Sequence, residues 1–144
     1  MRRWAMVALA VAGLQTAACG QFLFRQSDRL QVLSPRNYST VSEPLTIRWV
    51  ARDFQAPQDG SFAVFVDRDP MPPGETLDYF ARDDREGIHV LDVAQLRIDV
   101  FAPLVGVDPA EQNHHDVTVV LLDRGGHRVG EYAGFTEFNV VRGP

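Results

Sequence analysis

Between Arg29 and Val141 the apolar residues come in short runs rich in β-branched and aromatic types, and Pro, Gly or Asp ends each run before it reaches helical length. Such a chain builds strands. The alternation is cleanest in Leu45-Thr46-Ile47-Arg48-Trp49-Val50, where Leu45, Ile47 and Trp49 share one face. In Phe135–Val141 the alternate set Thr136, Phe138 and Val140 is expected to face the core. Further strands are expected at Leu30–Leu33, Ser61–Asp67, Ile88–Asp92, Arg97–Phe101, Val117–Asp123 and Arg128–Tyr132. Gln58-Asp59-Gly60 and Arg124-Gly125-Gly126 read as hairpin turns, and the prolines of Asp69-Pro70-Met71-Pro72-Pro73-Gly74 cannot donate to a ladder. A helical turn or two is expected in Thr76–Arg82 and in Asp92–Leu96, too little for the crossover of a parallel sheet. The expected fold class is therefore all-β, an antiparallel sandwich of about seven or eight strands.

The chain has 144 residues, 45% of them hydrophobic, which is enough for one domain with its own core. Its net charge is −5, and all 14 basic residues are Arg, a bias that nucleotide composition explains without a functional demand. That acidic balance argues against a nucleic-acid partner, because a phosphate backbone is held by clustered cations. Cys19 is the only cysteine, so the domain has no internal disulfide and must be held by packing.

Met1-Arg2-Arg3 gives a positive start, Trp4–Leu14 is an unbroken run without polar side chains, and Thr16-Ala17-Ala18 supplies small residues before Cys19. The apolar run is shorter than the ~20 residues of a permanent span and matches the core of a secretory signal. The expected organisation is a signal peptide with an N-terminal signal helix over 1–18, a short tether over 19–28 and one sandwich over 29–142. Removal of the signal leaves 12 basic against 19 acidic residues. Thr16-Ala17-Ala18-Cys19 resembles the lipobox of bacterial lipoproteins, with Thr16 in place of the usual Leu. That resemblance implies export, lipidation of Cys19 and anchoring to a membrane on its extracytoplasmic side. Two acyl chains give stable attachment where one is marginal.

Within the body, Pro44-Leu45-Thr46-Ile47-Arg48-Trp49 looks like the tryptophan-bearing second strand of fibronectin type III and related immunoglobulin-like sandwiches, and Phe62–Asp67 looks like the strand after it. His115–Asp123 followed by Gly125-Gly126 resembles the penultimate strand and hairpin of bacterial extracellular Ig-like modules. The resemblance covers most of residues 29–142 and implies a two-sheet sandwich. The disulfide pair and tyrosine corner of antibody-type domains have no counterpart here.

Three clusters bear on chemistry. Asn113-His114-His115-Asp116 carries Zn or Cu ligand types, but neighbours on a strand point to opposite faces, so at most one of His114 and His115 can join Asp116; a turn entering a strand explains the cluster better. Asp67, Asp69, Glu75 and Asp78 are hard oxygen ligands without the spacing of a calcium loop, and Asp83-Asp84-Arg85-Glu86-Gly87 reads as a solvated charge run. No nucleophile elbow, zinc-protease helix or phosphate loop occurs in the sequence. The expectation is a non-catalytic, membrane-tethered binding or scaffold module with no cofactor. It would meet an envelope protein through the Asp67–Gly87 loop, with Met71, Tyr79 and Phe80 as apolar contacts. The alternatives are an extracytoplasmic Cu or Zn binder using His114, His115 and Asp116, and an envelope glycan hydrolase using a carboxylate pair such as Asp67 and Glu75.

Overall fold

The computed structural model describes residues 25–26 and 28–142. The expected signal segment over 1–18 and Cys19 lie outside the described residues. Within them, eight strands of four or more residues and one two-residue strand form two sheets. In chain order these are β1 (Arg25–Gln26), β2 (Leu30–Ser34), β3 (Ser39–Ser42), β4 (Leu45–Ala51), β5 (Gly60–Val66), β6 (Ile88–Leu91), β7 (Gln95–Ile98), β8 (His114–Asp123) and β9 (Tyr132–Val141). The larger sheet runs β1-β9-β8-β5-β6 with β3 also on β9, and the smaller runs β2-β4-β7. This is the all-β sandwich expected from the sequence.

The inner faces meet as the alternation predicts. Ile47, Trp49 and Leu96 of the small sheet pack on Phe62, Val64, Val117, Val119, Leu121, Phe138 and Val140 of the large one. Trp49 and Phe62 stack edge to face at 5.5 Å. Each large side chain buried there contributes roughly 1.5–3 kcal/mol, which is how the sandwich holds without a covalent staple.

β9 is paired along its outer edge by two segments, both parallel to it: β1 against Tyr132 and Ala133, and β3 against Phe138–Val141. Between β2 and β3 the chain therefore crosses from the small sheet to the large one. Pro35 stands at the crossing, where its carbonyl accepts a hydrogen bond from Thr136 Oγ1 at 3.1 Å. Asn37 Oδ1 accepts from the Glu137 N–H at 2.9 Å, and the Tyr38 N–H donates to the Glu137 carbonyl at 2.7 Å. The sequence hides β3 because Ser39-Thr40-Val41-Ser42 has a single apolar residue.

Other differences have local causes. β7 begins at Gln95, upstream of the expected Arg97–Phe101 strand, so Asp92–Leu96 is a bend leading into a strand and not a helical turn. Arg128–Tyr132 is not a strand; Arg128 makes one bridge to Leu122 before Gly130, with φ +64°, turns the chain into β9. β8 starts at His114 because the two ring-bearing residues ahead of Val117 pair with β9 as Val117 itself does. Thr76–Arg82 holds a single 3₁₀ turn, Leu77–Tyr79, opened by Thr76 Oγ1 accepting from the Asp78 N–H.

β5 and β8 are buried on both faces. The outer face of the large sheet carries a second cluster, Ala63, Phe65, Val120, Leu122 and Ala133 with Met71, and Leu77, Phe80 and Ile88 lie against it. The cover is the β5–β6 connection, residues 67–87. That explains why Phe62–Val66 and Val119–Leu122 read as continuous apolar runs, the pattern of strands without a wet side.

Candidate functional site

The β5–β6 connection is fastened down at several points. Met71 is fully buried under it, and the Arg128 guanidinium, itself 2% exposed, donates to the Met71 and Glu131 carbonyls. Backbone bonds tie the same place: the Gly74 N–H to the Arg128 carbonyl at 2.9 Å and the Arg128 N–H to the Glu75 carbonyl at 2.8 Å. Arg68 lies over the Phe80 ring, 4.5 Å from its centroid, and donates to the Asp84 and Glu86 carbonyls at 2.8 and 3.0 Å. Phe80 in turn leans on Phe65 and meets Tyr79 edge to face. Arg85 reaches Asp78 at 3.0 Å.

Of the three contacts expected in this loop, Met71 is core, and its thioether fills the outer cluster instead of meeting solvent. Phe80 is half-buried between Arg68 and Phe65. Tyr79 remains 54% exposed beside the Asp78 carboxylate. Arg68 and Arg128, the residues that fix the loop, were not singled out from the sequence; their only signal was a lone cation amid acidic or glycine-rich neighbours.

His114, His115 and Asp116 open β8, and the pleat separates them as expected. His115 points inward, fully buried against Phe101 at 4.9 Å, with Nδ1 2.8 Å from Asp67 Oδ2. Asp67 Oδ1 also accepts from the Asp116 N–H at 3.0 Å, so this carboxylate clasps the start of β8 to the end of β5. His114 turns to the other face, its Nε2 3.2 Å from Glu137 Oε2. Partial burial pushes the Asp116 carboxyl up to about 6, helped by the negative charges of Asp67, Asp69 and Glu137 and opposed by His114. His127 pairs with Asp123 in the β8–β9 turn, away from this cluster. Among the described residues no group of three His, Cys, Asp or Glu side chains is arranged to hold a metal ion. Of the calcium-type carboxylates, Asp67 is engaged by His115 and Asp78 by Arg85.

A cleft of about 810 Å³ opens between the base of the loop and the β7–β8 connection. Asp67, Arg68, Asp84 and Glu86 line one wall, and Asp99, Val100, Phe101, Leu104 and Val105 the other. The β7–β8 wall is held by the Phe101 N–H on Glu43 Oε1 at 2.6 Å, Arg142 on the Phe101 carbonyl and the Leu104 N–H on the Gln112 carbonyl. Val100 and Val105 stand 72% and 96% exposed on it.

No protein-family model matches the chain, and no curated protein does. Among solved structures it is similar to the fibronectin(III)-like modules of Clostridium thermocellum CbhA, at 10% identity and a TM-score of 0.42 over 78% of this chain and 99% of the other.

Proposed function

We propose that the chain is the precursor of an exported, non-catalytic binding or scaffold module, held at a membrane through lipidated Cys19 and directed at another protein of the cell envelope. The observation that carries this reading is the β5–β6 connection: a long surface segment fixed onto the sheet by its own apolar cluster and by two arginines, with an aromatic ring left in solvent. A rigid platform bearing a half-exposed tyrosine suits binding, because little conformational entropy remains to be lost when a partner docks. Tyrosine also offers apolar area and a hydroxyl at low entropic cost.

A photoreactive amino acid placed at position 79 of the full chain in cells tests the reading. The expected outcome is an adduct of discrete mass that does not form from position 33, where Leu33 is exposed on the small sheet. Equal, diffuse labelling at both positions would count against a binding face. Intact mass of the protein recovered from membranes is expected to show loss of residues 1–18 and an added lipid at Cys19; an intact Met1 without lipid would remove the tether.

A further inference from the structure

The cleft at the β7–β8 connection has a structural cost that the sandwich does not require. Val105 is 96% exposed and Val100 72%, yet the segment that carries them is not slack. Phe101 is buried below them on His115 and Phe138, its N–H is taken by Glu43 and its carbonyl by Arg142. The tip is braced again by the Leu104 N–H on the Gln112 carbonyl and the Ala110 N–H on Asp108 Oδ1. Aliphatic side chains held in water by a hydrogen-bonded loop leave apolar surface that a docked partner would bury.

Charge decides what covers them. Asp67, Asp84, Glu86 and Asp99 line the cleft beside Arg68, Arg97 and His89; Arg68 matches Asp84, Arg97 matches Asp99 and His115 takes Asp67, so Glu86 stands outside these pairs and carboxylates outnumber guanidiniums. The rim is therefore negative and the wall apolar. A second copy of this acidic chain, at −5 overall, would bring like charges together. A lipid surface is disfavoured by position. β1 lies at the Tyr132 end of β9, whereas the β7–β8 connection enters β8 at His114, which pairs with Asn139 near the other end. Seven residues of extended chain set the two poles roughly 23 Å apart.

From this combination we infer that the cleft is a docking site for a cationic peptide segment of a partner protein, with an aliphatic or aromatic anchor set against Val100 and Val105 and an Arg or Lys side chain toward Glu86. The inference rests on the binding-module reading and names the partner's chemistry.

The test follows the amide resonances of the protein in two-dimensional NMR while a capped hexapeptide of alternating arginine and leucine is added. The control peptide carries glutamate in place of arginine. The arginine peptide is expected to give saturable shifts at Gly87, Val100 and Val105 that weaken as salt is raised, and the glutamate peptide none. Val105→Asp, at a side chain already in solvent, is expected to leave the spectrum otherwise native and to weaken binding about tenfold or more. Glu86→Gln is expected to weaken it severalfold and to flatten the salt dependence. Equal shifts from both peptides, or no saturable shift from either, would overturn the assignment. So would shifts at Val105 that depend on protein concentration alone, which mark a second copy, or equal shifts from phosphatidylglycerol vesicles, which mark a lipid surface. Shifts confined to the surroundings of Tyr79 would also sink the cleft while leaving the binding-module reading in place, and a failed crosslink at position 79 with peptide binding intact would remove the Tyr79 face while leaving the cleft.

Discussion

Asp116 sits where three neighbouring carboxylates and partial burial all disfavour its charge, with only His114 opposing them. Its carboxyl is pushed up to about 6, so the folded protein holds that proton more tightly than the unfolded chain does. The stabilisation is present below the ordinary carboxylate range and is lost as pH rises from about 4 through 6. Asp116→Asn is accordingly expected to raise stability at pH 7.5 by about 1 kcal/mol, less than the full shift because the group is only partly out of water, and to change little at pH 4. Urea unfolding at the two pH values reads the difference; an unchanged or lowered midpoint at pH 7.5 would contradict it. Gly60 offers a second check at this scale. It has φ +147°, and a Cβ there would stand 1.9 Å from the Leu122 carbonyl oxygen. Gly60→Ala must therefore push β5 off β8 at its first pair, and a loss of about 2 kcal/mol or more is expected.

At the scale of elements, the β5–β6 connection covers the outer face of the large sheet as a third layer, and Met71 is its keystone. Met71→Ala is expected to cost roughly 2–5 kcal/mol by leaving a cavity, whereas Tyr79→Ala, at a half-exposed ring, should cost about 1 kcal/mol or less. Equal losses for the two in denaturant would mean that the loop does not form a core of its own. The same loop marks the boundary of what the sequence discloses. Strands with one wet face, β4 and β9, were legible residue by residue because alternation reports which side is buried. β5 and β8 were legible as strands, but their unbroken apolar runs did not say what would cover the second face. β3 left only Val41 as a hydrophobic trace; it is positioned by its ladder to β9 and by Glu137, whose N–H donates to Asn37 Oδ1 and whose carbonyl accepts from the Tyr38 N–H, all of them tertiary contacts. The opposed orientations of His114 and His115 followed from the pleat alone, while the partners, Glu137 on β9 and Asp67 just past the end of β5, are far away in sequence and carry no local signal.

For the whole molecule, export, lipid attachment and a binding role form one proposal with a simple test. Cys19→Ala is expected to move the protein from the membrane pellet to the soluble fraction with its fold intact, as read by a far-ultraviolet spectrum dominated by β-structure; a protein that stays with the membrane would show that Cys19 is not the anchor. The arrangement of ends gives this proposal a mechanical side. Pulled at β1 from below and at the β7–β8 connection from above, the sandwich is loaded along its strands. The bonds of the antiparallel β5–β8 and β8–β9 ladders run perpendicular to the strands, and those joining β1 and β3 to β9 are the slanted bonds of parallel pairs. A lengthwise tug therefore strains many of them at once instead of unzipping them in turn, and a module anchored at one end and gripped at the other would resist extension before it gave way.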